Sequence, residues 1–109
     1  MASITTIRSI NDFNKRIDSA EDKVVVLDFY ATWCGPCKEI EKTVKALARQ
    51  YAGKVIFLKV NVDKYDELVQ RYRVRSMPTF IFIKGNRRLG CIIGADEHKL
   101  IKMMAKVGK

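Results

Sequence analysis

Only one histidine, one tryptophan and two prolines occur in the 109 residues, and the three cysteines leave one without a partner however they pair. So small and odd a set does not build the disulfide framework of a secreted scaffold. No hydrophobic run approaches the length that spans a bilayer, so no membrane partner is expected. The start, Met1-Ala2-Ser3-Ile4, lacks a basic segment followed by an apolar block, so no secretory signal is expected and the chain reads as intracellular, with its thiols reduced at rest. Repeats, low-complexity tracts and linkers are also missing, which predicts one domain over residues 1–109. Acidic residues run out towards the end. Residues 1–70 hold 11 Lys+Arg against 10 Asp+Glu, whereas residues 71–109 hold 10 against 2, so that +8 of the net +9 lies in the last third. Charge that lopsided predicts a surface that meets nucleic acid or acidic proteins, with a merely solvated face as the alternative.

What is present centres on Trp33-Cys34-Gly35-Pro36-Cys37. The motif follows an apolar run and precedes a helical pattern, which puts it where a strand turns into a helix. Unpaired backbone N–H groups and the positive end of the macrodipole favour the Cys34 thiolate there. Pro36 suits the first helical turn, and Gly35 leaves the approach to sulfur open. Zinc is the competing use of such a pair, but it needs two further ligands and only Cys91 and His98 remain. A bridge over so short a loop also removes little entropy from the unfolded chain, which argues against a purely structural disulfide. A dithiol poised for exchange is the stronger reading.

The rest of the chain frames this turn. Ser3–Ile7 has strand composition, and Ser9 with Asp12 caps a helix carrying Ile10, Phe13, Ile17 and Ala20. Val24–Tyr30 is an apolar run fit for an interior strand, in which Asp28 is the anomaly. One long helix is expected through Ile40, Val44, Leu47, Ala48 and Tyr51, with a Glu41–Lys45 pair on its wet side. Val55–Val62 is the next strand, Asp66–Tyr72 a short helix, and Thr79–Lys84 a strand opened by Met77-Pro78. Gly85-Asn86 turns into an antiparallel Leu89–Ile93, and a final helix over Asp96–Val107 buries Leu100, Ile101, Met104 and Val107. Cys91 is expected as a small core or edge residue, and His98 as exposed. The order β-α-β-α-β-α-β-β-α predicts an α/β fold with a mixed sheet of about five strands flanked by four helices, and it places the motif at the carboxyl edge of the sheet.

Asp28, Trp33-Cys34-Gly35-Pro36-Cys37-Lys38, Lys59, Met77-Pro78-Thr79-Phe80 and Gly94-Ala95 together resemble the thioredoxin family in order and spacing, over essentially the whole chain. The resemblance implies the thioredoxin fold and a protein-disulfide reductase. Cys34 would attack a client disulfide and Cys37 would resolve the mixed disulfide, closing a Cys34–Cys37 bridge, with Gly35 and Pro36 between them. Asp28 would accept the Cys37 proton, with Lys59 as its partner. Pro78 would be cis, and Trp33, Met77, Pro78, Gly94 and Ala95 would line a client groove beside Gly35 and Pro36. No bound cofactor is implied; electrons would come from NADPH through thioredoxin reductase. A Gly-Pro dipeptide between the cysteines fits a reductant better than an oxidase or isomerase.

Lys42 stands where many relatives have a proline, so the usual helix kink is expected to be weak or absent. Arg71, Arg73, Arg75, Arg87 and Arg88 are expected to rim the groove. The basic balance, with Arg73-Val74-Arg75-Ser76-Met77-Pro78 and Gly94-Ala95-Asp96-Glu97-His98-Lys99-Leu100, resembles a germline branch of the family. That branch would imply protamine-like chromatin proteins as clients and a nuclear pool. The chain is separately expected to be a monomer and to be cytoplasmic as well as nuclear. The competing reading is a redox-dependent binding module or scaffold contacting acidic or DNA-associated partners.

Overall fold

Alternation along the apolar runs decides which face of the sheet each side chain enters. The computed structural model describes residues 4–85 and 87–109, so the expected strand residue Ser3 and the turn residue Asn86 lie outside the described residues. Five strands form one sheet: β1 (Ile4–Thr6), β2 (Val24–Tyr30), β3 (Val55–Asn61), β4 (Thr79–Lys84) and β5 (Arg87–Ile93). Their spatial order is β1-β3-β2-β4-β5, with β1, β3 and β2 parallel and β4 and β5 antiparallel to their neighbours. In the central strand β2, Val24 and Val26 face one cluster, with Phe57, Phe80, Phe82, Leu100 and Met104. Val25, Leu27 and Phe29 face the other, with Phe13, Leu58, Leu68 and Ile81. Each large side chain buried in this way contributes about 1.5–3 kcal/mol, so the two-sided β2 is the anchor of the fold.

Helices cover both faces: α1 (Ile10–Ala20) and α4 (Asp66–Arg71) on the Leu27 side, α3 (Glu41–Gln50) and α5 (Glu97–Val107) on the Val26 side. Ser9 caps α1 by accepting from the Asp12 N–H at 2.9 Å, and Asp96 caps α5 through the Lys99 N–H at 3.0 Å. A short α2 (Gly35–Glu39) precedes α3, making five helices among the described residues where four were expected.

The chain breaks between α2 and α3 although it has no proline there. Ile40 adopts φ −88°, ψ −4°, and its N–H points back to the Pro36 carbonyl at 3.3 Å. The cause is tertiary. Ile40 is buried with Val44 and Leu47, whereas no residue of α2 is buried, so the helix is interrupted where its packing begins. One smaller expectation also gives way. Ile101 is 46% exposed, because the buried stripe of α5 runs through Leu100 and Met104. Of the two places expected for Cys91, core or edge, it takes the second: it is a free, exposed residue of the edge strand β5, since the alternation turns Ile92 inward.

Candidate active site

The turn after β2 holds both cysteines. Cys34 is the N-cap of α2, and Cys34 and Cys37 are joined by a disulfide with their Cα atoms 5.3 Å apart. The backbone N–H of Cys37 donates to Cys34 Sγ at 3.1 Å, so an orphan donor of the helix start is aimed at that sulfur. Pro36 sits in the first turn, where it removes no hydrogen bond. No heavy atom lies within 4 Å of the space where a Gly35 Cβ would project, so the chain can be approached there.

Cys34 is not open in this disulfide form. It is 4% exposed, while Cys37 is half-buried. The cap geometry folds the Cys34 sulfur back into the turn, 3.6 Å from the Met77 carbonyl oxygen. Met77 belongs to the opposing loop, where the Met77–Pro78 peptide is cis. The Pro78 carbonyl accepts from the Gly94 N–H at 2.8 Å, and Gly94 at φ +95° adopts a conformation that glycine reaches without a Cβ clash. These contacts bring Met77, Pro78, Gly94 and Ala95 together as one edge of the site. On the other side Trp33 is 66% exposed, and its indole N–H donates to Asp63 Oδ2 at 2.8 Å. Asp63 is in turn set by its own N–H donating to Asn61 Oδ1 at 2.9 Å. Neither Asn61 nor Asp63 was legible as a site residue, since nothing local marks a partner thirty positions from Trp33.

Asp28 points to the α3 face and is 6% exposed, flanked in register by Lys59 on β3 and Phe80 on β4. Burial pushes its carboxyl up to about 7; the Lys59 charge works against that rise and the Glu41 charge with it. The expected Asp28–Lys59 ion pair is replaced by another. The Lys59 ammonium lies 3.8 Å from Glu41 Oε2 and 4.2 Å from the centre of the Tyr30 ring. A long lysine reaches outward to a wetter carboxylate instead of a dry one. A cleft of about 480 Å³ connects these groups, lined by Asp28, Tyr30, Cys37, Glu41, Lys45 and Lys59 among others.

The arginines divide into two groups. Arg71, Arg73 and Arg75 are exposed on the segment leading to Met77, and Arg71 is paired with Glu67 at 2.9 Å. Arg73 takes φ +55° at the end of α4, where the Val74 N–H reaches the Val69 carbonyl and the Arg73 N–H the Gln70 carbonyl. That is a helix stop usually made by glycine. Arg87 and Arg88 do not join the rim. They pair with Lys84 and Ile83 at the hairpin end of the sheet, about 20 Å of strand from Gly94. Among the described residues no group of three His, Cys, Asp or Glu side chains is placed to hold a metal.

The sequence model described as Thioredoxin matches residues 4–106. Thioredoxin-1 of Drosophila melanogaster is 61% identical over 106 residues, covering 97% of this chain and 99% of its own. The chain belongs to the thioredoxin family. Among solved structures, the germline-specific thioredoxin Deadhead (Thioredoxin-1) of Drosophila melanogaster superposes with a TM-score of 0.89 at 63% identity, covering 98% of this chain and 99% of that one. A thioredoxin of Nicotiana alata superposes at 0.92 with 32% identity, covering 97% and 93%. This thioredoxin is therefore a protein-disulfide reductase, with Cys34 and Cys37 as its disulfide-capable pair. Thioredoxins require no bound cofactor and receive electrons from thioredoxin reductase.

Proposed function

We propose that this thioredoxin reduces disulfides of chromatin-associated clients, with Cys34 attacking, Cys37 resolving and Asp28 as the base. The Cys34 thiolate attacks one sulfur of the client disulfide, forming a mixed disulfide and releasing the other client sulfur as a thiolate that takes a proton from water. Asp28 then takes the Cys37 proton, through water in the cleft. The Cys37 thiolate attacks Cys34 Sγ, closing the Cys34–Cys37 bond and expelling the second client thiolate. Two electrons pass from the dithiol to the client, and electrons from NADPH restore the dithiol through thioredoxin reductase. The observation that carries this reading is the Cys37 N–H aimed at Cys34 Sγ, because the same donor stabilises that sulfur as an anion. A carboxyl with its proton affinity raised to about 7 suits a base that works near neutral pH.

The groove follows from the same geometry. Trp33, held by Asp63, offers an apolar face beside the turn, and Met77, Pro78, Gly94 and Ala95 offer largely backbone edges to an extended client segment. Chromatin enters through charge. Protamine-like proteins are themselves basic, so the excess of +8 in residues 71–109 is better matched to the DNA of a protein–DNA complex. The likeness to a germline-specific thioredoxin supports a germline setting, and the proposed clients would place the protein in the nucleus as well as the cytoplasm.

Cys37→Ser is the direct test. The variant is expected to accumulate client proteins joined through Cys34 when incubated with oxidised chromatin, detected as reductant-sensitive bands, and an absence of adducts would overturn the proposed roles. DNA contact has its own measurement. Affinity for duplex DNA is expected to fall steeply with salt, by about tenfold or more between 50 and 200 mM, and salt-independent or absent binding would remove the phosphate contact. The charge also favours a second reading, a redox-dependent module docking on acidic or DNA-associated partners. In that case the Cys34→Ser, Cys37→Ser double variant would keep its biological activity.

A further inference from the structure

Glu41 occupies the first position of α3, immediately after the break at Ile40, and its carboxylate lies over the strand pair that carries Asp28 and Lys59. Its Oε1 receives Lys45 at 3.4 Å, the pair expected along the helix, and its Oε2 lies 3.8 Å from Lys59 on the sheet below. Glu41 therefore ties α3 to β3 across the cleft that also reaches Asp28 and Cys37. The buried Asp28 and half-buried Cys37 lie deep in that cleft, and the exposed Lys38, Glu41 and Lys45 lie at its mouth.

Asp28 is faced by few charges. Lys59 approaches from β3, Glu41 and Lys45 from α3, Cys37 and Lys38 from α2, and the Tyr30 hydroxyl belongs to its own strand. β4 presents the apolar Phe80, and β1 presents Thr6. Lys59 is thus the cation that stands beside Asp28 in register, and Glu41 competes for it. An ammonium paired directly with Asp28 would stabilise its carboxylate and weaken it as a base.

We propose that Glu41 is a positioning residue for disulfide exchange: it holds the Lys59 ammonium away from Asp28, leaving that carboxylate free to take the Cys37 proton and pass it along the cleft to water. This rests on the reading of Asp28 as the proton acceptor. Glu41 touches neither sulfur. Beyond the direct influence of its charge on Asp28, its effect on the reaction runs through Lys59.

The test is a carboxyl-carbon NMR titration of Asp28 in the oxidised protein, combined with the pH dependence of mixed-disulfide resolution. Glu41→Gln is expected to lower the Asp28 midpoint by about one unit, a tenfold loss of proton affinity, and to move the acidic limb of the resolution profile with it. Lys59→Met is expected to raise the midpoint. In the Lys59→Met background, Glu41→Gln is expected to shift it much less. A purely structural role for Glu41 would leave both readouts in place, and an undiminished shift without Lys59 would mean that Glu41 acts by its own charge; either result overturns the holding role. Asp28→Asn separates the two levels of inference. If Asp28→Asn leaves the resolution profile unchanged, the role of Asp28 fails; if Asp28→Asn flattens the acidic limb while Glu41→Gln leaves it in place, only the proposal for Glu41 fails.

Discussion

Cys34→Ser is expected to lower the rate of protein-disulfide reduction, measured with insulin and a recycling reductant, by about 10³-fold or more. The serine keeps the cap of α2, since its oxygen can accept from the Cys37 N–H as Sγ does, so the fold and the groove should survive. What disappears is the nucleophile. A hydroxyl at this position is not ionised near pH 7, and the donors of one helix start do not change that. The experiment also decides between the two sulfurs, which matters because Cys34 is 4% exposed in the disulfide form while Cys37 is half-buried. If Cys34→Ser still formed mixed disulfides with insulin and Cys37→Ser did not, the attacking and resolving roles would be reversed.

Asp28→Asn is expected to stabilise the oxidised protein by up to about 4 kcal/mol at pH 8 and to change little at pH 3.5. The carboxyl ionises near 3.8 in the unfolded chain but near 7 in the native one, because burial penalises its charge. Between those values the unfolded chain has already shed a proton that the native chain retains, so native stability declines as pH rises through about 4 to 7. Asparagine, which does not titrate, escapes the decline. Urea unfolding of the two proteins across that range checks the sign: their stabilities should diverge with rising pH, and parallel curves would contradict the raised proton affinity. The same substitution removes the proposed base, so greater stability and slower resolution should appear together.

Much of this architecture could be read from residue patterns, because its determinants are local. Ser9 marks a helix start through a side chain that bonds the next turn, and Val24–Tyr30 is apolar on both parities, as a covered central strand must be. The motif itself announced its place between β2 and α2. Features set by tertiary competition were not readable. The helix is interrupted at Ile40, where burial begins, a pressure that Lys42 does not reveal. Arg73 stops α4 in a left-handed conformation without the glycine that would have signalled it. Lys59 is the strand neighbour of Asp28, yet its ammonium goes to Glu41, a choice that depends on how α3 lies over the sheet. Arg87 and Arg88 looked close to Met77 along the chain, but the hairpin carries them to the far end of β5.

The break at Ile40 divides labour along what would otherwise be one continuous rod. The upstream piece, Gly35–Glu39, carries Cys37 and contributes no buried residue, while the downstream piece supplies Val44, Leu47 and Ala48 to the interior. Exchanging the Gly35-Pro36 dipeptide can therefore retune the electron affinity of the pair with little penalty to folding, because the residues changed are not those that hold the molecule together. A scaffold arranged this way can diverge into donors and acceptors of electrons while its interior is inherited unaltered.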